Sequence, residues 1–194
     1  MSTAAEARKG AATRAAILER AVDVASAEGL EGLTIGRLAS ELEMSKSGLF
    51  AHFGSKQELQ LATVEAAMAR FRRAVIEPAA GTAEGAGRLR ALADAYLGHV
   101  AEDAYAGGCF WVATSAEYDD RPGPVRDAIA AALDAWLGEL ERQARAAGLP
   151  DPGQLAFVLN AVVMGANSRY RLCGDRQVFE YARGTVDRLL DGQL

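Results

Sequence analysis

The segment Thr34–Phe53, TIGRLASELEMSKSGLFAHF, constrains this chain more than any other. Its apolar positions Ile35, Leu38, Ala39 and Leu42 recur at helical spacing, and Thr34 stands before them as an N-cap. Met44 closes a tight turn, and Ser45 is placed to cap a second short helix. In that helix Leu49 and Phe53 lie four residues apart and face inward, leaving Lys46, Ser47, Gly48, Ala51 and His52 to face out. A short helix with a small, hydrogen-bonding outer face is what a DNA major groove accepts. The segment points to a DNA-binding regulator.

The flanks extend this unit. Thr13–Ala27 reads as an amphipathic first helix with Ile17, Ala21, Val24 and Ala25 inside, stopping at Gly29. Arg8, Lys9 and Arg14 form a basic N-terminal stretch that can reach DNA or remain a loose tail. Leu49, Phe50 and Phe53 are expected in the core of the three-helix unit. After Gly54, Ser55-Lys56-Gln57-Glu58 is a capping box opening a long helix whose positive end, beside Lys56, suits a phosphate.

This arrangement resembles the tetracycline-repressor (TetR) family of bacterial regulators. The resemblance rests on the first helix, on Leu38-Ala39 followed by Leu42, and on Met44 through Phe53 followed by Ser55-Lys56. It implies that Lys46, Ser47, Gly48 and Ala51 face the groove and that Thr34, His52 and Lys56 meet backbone phosphates; Arg37 joins the DNA-facing set. Lys46 suits guanine O6 or N7, and the Ala51 methyl suits a thymine methyl. Three positions depart from the family pattern. Phe50 stands where Tyr is usual, which removes a phenol–phosphate hydrogen bond. Glu43 replaces the usual turn Gly, where a left-handed backbone costs about 1 kcal/mol. Gly36 leaves the first helix of the pair bare where some relatives contact DNA.

Charge supplies little help. The chain of 194 residues carries a net charge of -5. Residues 1–60 hold seven Lys/Arg against eight Asp/Glu, a net of -1. DNA affinity therefore has to come from local placement, with Glu19, Asp23 and Glu31 expected off the contact face. Abundant Ala and few β-branched or aromatic residues favour an all-α fold. The two cysteines, Cys109 and Cys173, have no metal-ligand spacing and suit a reducing cytoplasm. No metal site and no cofactor are expected. The N-terminus lacks a secretory pattern, and no apolar run approaches the roughly 20 residues of a membrane span.

The rest of the chain reads as further helices. One opens at Ser55 and runs to about Ile76, stopping before Pro78; it connects a helix-turn-helix domain over 1–54 to a helical effector-binding and dimerisation domain over 55–194. Helices follow from Arg88 to about Ala104, from Cys109 to Tyr118, and from Pro124 to Gly148. Gly107-Gly108 is either a flexible gate or a tight turn. Asp151-Pro152-Gly153-Gln154 reads as a cap opening a helix to Gly174, and Asp175 starts the last one.

The resemblance implies a homodimer formed through the last two helices, although their apolar faces also suit intramolecular core. Two copies would match a palindromic operator in double-stranded DNA. It also implies a pocket for an unidentified small-molecule effector among Tyr96, His99, Cys109, Phe110, Trp111, Thr114, Tyr118, Trp136, Asn160, Met164 and Asn167. Of these, His99, Thr114, Asn160 and Asn167 need polar partners if they face a core. Other functions remain open at this point. Cys109 can serve as a redox sensor, the helices can form a protein-binding scaffold, and His99, Cys109 and Asp103 form the weakest option, an enzyme. The expected function is a cytoplasmic, non-enzymatic repressor released from DNA by its effector.

Overall fold

The structure, a computed structural model, describes residues 2–102 and 105–192, with backbone alone for residues 2–7. Asp103 lies outside the described residues. The helices are α1 (Ser2–Glu28), α2 (Ile35–Glu41), α3 (Lys46–Phe53), α4 (Lys56–Phe71), a π-helical turn (Arg72–Ile76), α5 (Glu77–Ala79), α6 (Ala86–Ala101), α7 (Phe110–Tyr118), α8 (Pro124–Ala146), α9 (Pro152–Cys173) and α10 (Gln177–Leu190). The fold is all-α, and the described residues include no strand.

Several boundaries differ from the sequence expectation for identifiable reasons. α1 begins at Ser2, because the Ala-rich stretch before Thr13 favours helix, and Thr13 donates back to Lys9 O at 3.0 Å as a mid-helix residue does. Arg8 and Lys9 therefore belong to a helix and not to a loose tail. The helix opened by Ser55 does not stop before Pro78. It widens into the π turn, where Glu77 N–H donates to Arg72 O, and then carries Pro78 in the first turn of α5. Asp151 does not cap α9: its backbone is left-handed (φ 45°, ψ 59°) and its side chain makes no capping bond. At α10 the cap comes from one step earlier, with Gln177 N–H donating to the Asp175 carboxylate at 3.0 Å.

The chain forms two compact units that do not follow chain order. The first comprises residues 1–68 and 105–129, the second residues 69–104 and 130–194. In the first, Ile17, Ala21, Val24 and Ala25 of α1 are buried with Leu30, Leu33, Leu38, Leu49, Phe53 and Leu59. α7 packs on α1. The turn before it has no room for a side chain, since a Cβ on Gly107 would fall 2.1 Å from Ser26 O. Gly107-Gly108 is thus a pressed turn, with Gly107 N–H donating to Ser26 Oγ at 3.0 Å.

In the second unit, Leu89, Leu92, Ala93, Tyr96, Leu97 and Val100 of α6 are all buried, as their register predicts. Phe71 meets Tyr96 and Trp136 edge-on at 4.9 and 5.1 Å between ring centroids. Buried Gln143 accepts from Gly85 N–H at 2.9 Å, which ties α8 to the start of α6. α10 packs on α6 and α9. Phe179, Ala182, Val186 and Leu190 point inward, whereas Phe157, Leu172 and Tyr181 are left exposed.

Candidate nucleic-acid interface

The paired short helices are built by caps. Thr34 is extended (φ -124°, ψ 148°), and its hydroxyl accepts from Arg37 N–H at 3.2 Å. α2 ends in a Schellman arrangement: Met44 N–H donates to Ala39 O at 2.8 Å and Glu43 N–H to Ser40 O at 3.4 Å. That closure requires a left-handed residue, and Glu43 supplies it at φ 53°. Ser45 then caps α3, its hydroxyl accepting from Gly48 N–H at 3.0 Å. Ser55 accepts from Glu58 N–H at 3.1 Å to open α4.

These caps fix which side of α3 faces out. Leu49 and Phe53 are buried, Gly48 and His52 are half-buried, and Lys46, Ser47 and Ala51 are exposed. Phe50 departs from the expectation that it belongs to the core: it is 51% exposed. The helical period explains this, because Phe50 follows Lys46 by one turn and shares its outward face, while Leu49 and Phe53 define the inner one.

The cations on this surface are held to different degrees. Arg37 pairs with Glu28 and, at 3.0 Å, with Glu41, which also binds Arg20 at 2.6 Å. Hydrogen bonds from Arg20 and then Arg37 hold the Glu41 carboxyl below its usual range. Lys56 donates to both the backbone and the carboxylate of Glu31, each at 2.8 Å. Glu31 thus pairs with the lysine that the sequence offers as a phosphate contact. Arg14 stacks over the Phe53 ring at 5.1 Å. Lys46 differs: its stem lies against Gly36, 3.4 Å from where a Cβ there would sit. A methyl group at Gly36 would meet that stem at ordinary van der Waals contact.

A second set of residues anchors the loop before α2; of these the sequence offered Tyr118 only for the pocket and gave Glu117 and Gln60 no role. Glu117 accepts from Leu30 N–H at 2.7 Å and Glu31 N–H at 2.9 Å. Tyr118 donates to Glu31 at 2.9 Å, and buried Gln60 donates to Leu30 O at 2.9 Å. The bond from Lys56, then those from Tyr118 and Gln60, bring the Glu31 carboxyl down to about 2. Burial and the bond to Glu31 push the Tyr118 phenol up. The available sequence signal was Gln60, a polar residue among the inward positions Leu59, Thr63 and Val64 of α4.

The residues assigned to an effector pocket divide between the two units. Cys109, Phe110, Trp111, Thr114 and Tyr118 are buried in the first. Tyr96, His99, Trp136 and Asn167 are buried in the second, with Asn160 and Met164 half-buried beside them. Several polar partners left open by the sequence are protein groups. Thr114 donates to Phe110 O at 2.9 Å. Asn160 accepts from Trp136 Nε1 at 3.1 Å and donates to Met164 Sδ at 3.1 Å. Burial, followed by the neighbouring Arg70 charge, brings His99 down to about 4.

The chain's likenesses agree with this architecture. Residues 17–63 match the family model for bacterial regulatory proteins of the tetR family, and residues 85–186 match the tetracyclin repressor-like C-terminal domain. No curated protein matches significantly. Among solved structures, a TetR transcriptional regulator from Chloroflexus aurantiacus is 24% identical, with a TM-score of 0.88 over 96% of this chain and 98% of that one. A TetR-family regulator from Streptomyces coelicolor is also 24% identical, with a TM-score of 0.80 over 95% and 96%. AibR, solved in complex with isovaleryl coenzyme A and operator DNA, is 24% identical, with a TM-score of 0.73 over 91% and 98%. No helix among the described residues is long and apolar enough to cross a membrane. With the C-terminal model alone spanning more than half of its length, this chain belongs to the TetR family of bacterial transcriptional regulators.

Proposed function

We propose that the protein is a homodimeric, non-enzymatic repressor of the cytoplasm that reads a palindromic operator with α3 and leaves it when a small molecule binds. The observation that carries the DNA reading is the capped α3 itself. Its Lys46, Ser47 and Ala51 are exposed above buried Leu49 and Phe53. Lys46 donates to guanine, Gly48 permits close approach, and Thr34, Arg37, His52 and Lys56 meet phosphates. For Arg37 and Lys56 this requires exchanging carboxylate partners for phosphate oxygens.

The dimer reading is supported by the outer face of α9 and α10. A groove of about 300 Å³ lined by small residues, including Ala161, Gly165 and Ala166, lies beside exposed Tyr181. A second copy would bury it and set two α3 helices about one turn of DNA apart. AibR, solved with both isovaleryl coenzyme A and operator DNA, supports a small molecule and an operator as ligands of this fold. The effector favours one placement of the two α3 helices and lowers DNA affinity by its differential binding energy.

Selection from a random double-stranded DNA pool at physiological salt tests this. A palindrome with half-sites near one turn apart is expected. Lys46→Ala should relax base preference, and Lys56→Ala should weaken binding evenly across sequences. Absence of enrichment, with Lys46→Ala indistinguishable from wild type, would count against DNA reading and favour a protein-binding scaffold.

A further inference from the structure

Phe50 is a large apolar side chain of α3 that faces outward. Its ring is 51% exposed while Leu49 and Phe53, one position before and three after, are 0% and 7% exposed. Full burial of such a ring stabilises a fold by roughly 1.5–3 kcal/mol, so a phenyl left half exposed forgoes about half of that gain. The ring also lacks a hydroxyl, so it offers a phosphate no hydrogen bond. What remains is apolar contact. On the base edges of a major groove the apolar group is the thymine 5-methyl.

We propose that Phe50 determines specificity by packing on a thymine 5-methyl group in each half-site. The inference rests on α3 entering the major groove. Phe50 lies one helical turn beyond Lys46 on the same face, an axial rise of about 6 Å. Base pairs are spaced about 3.4 Å apart, so the thymine falls within about two base pairs of the guanine read by Lys46. Phe50, and not Ala51, supplies the larger part of this contact, because its ring reaches farther from the helix than a methyl group.

Methyl deletion on the DNA tests the contact directly. Each thymine of the selected operator is replaced in turn by deoxyuridine, and affinity is measured at constant salt. Wild type should lose about 5–10-fold at one thymine per half-site, the scale of a single lost apolar contact. Phe50→Ala should bind the thymine operator that much more weakly and be indifferent to deoxyuridine there, with an unchanged salt slope. Phe50→Leu should retain part of the sensitivity, and Ala51→Gly nearly all of it. An equal deoxyuridine penalty in wild type, Phe50→Ala and Phe50→Leu, or no sensitive thymine, overturns the proposal while leaving DNA reading intact. Failure of wild type to enrich any sequence overturns DNA reading, and this proposal with it.

Discussion

Single residues on the paired helices show strain and accommodation side by side. Glu43 holds a left-handed backbone in a turn where glycine is free of Cβ conflict. Glu43→Gly should therefore stabilise the protein by about 1 kcal/mol, less the extra freedom glycine brings to the unfolded chain. A urea titration with unchanged m-value reads this out. No gain would mean that the Glu43 side chain contributes a compensating interaction. The opposite effect is expected at Gly29, where φ is 77° and an added Cβ would meet the Glu117 carboxylate at 2.6 Å. Gly29→Ala should cost stability and loosen the loop bonds to Leu30 and Glu31. The left-handed demand at Glu43 was legible from its place in the turn. The outward phenyl at Phe50 was not, because hydrophobicity alone favours the core and only the helix phase set by the Ser45 cap turns it outward.

At the scale of elements, the loop between α1 and α2 is held by α7 and α4 together, through Glu117, Tyr118, Gln60 and Lys56. Glu31 is the shared acceptor, and its folded-state pKa of about 2 lies below the ordinary 4.5. A depressed carboxyl stabilises the fold above its unfolded value, and that contribution is lost as pH falls from about 4.5 toward 2. The Glu31 side chain is 48% exposed. Solvent screening therefore reduces its worth to about 1 kcal/mol. Glu31→Gln should flatten the acid limb of the Tm–pH curve relative to wild type; identical limbs would remove Glu31 as the cause. The same variant frees Lys56 from a competing charge. Its DNA affinity should rise several-fold, and the rise should vanish when Lys56→Ala is added. A rise that survives the second change would indicate a general charge effect. Sequence suggested Lys56 as a phosphate contact but did not pair it with Glu31, since residues 25 apart are brought together by the fold and not by any local pattern.

The whole molecule divides its chain unevenly. Residues 105–129 join the N-terminal helices in one unit, and residues 69–104 join the C-terminal helices in the other. The outer face of α9 and α10 supplies a prediction at this scale. Tyr181→Glu places a charge beside the small-residue groove and should shift the protein from dimer to monomer in sedimentation equilibrium. Operator affinity should fall with it, because one monomer reads only a half-site. A dimer that persists would place the interface elsewhere.

The sequence by itself determined the helices, their order, the capped turn at α3 and membership of a regulator family. These follow from local properties, namely spacing, caps and glycine stops, that act within a few residues. Tertiary structure decided the rest: the Glu31–Lys56 pair, the Gly107 turn pressed on α1, the Glu117 bonds to the loop before α2, and the Trp136 partner of Asn160. Each depends on which side chain meets which across distant segments. Such meetings are settled by packing density and by the need to satisfy buried polar groups, and no window of sequence contains them.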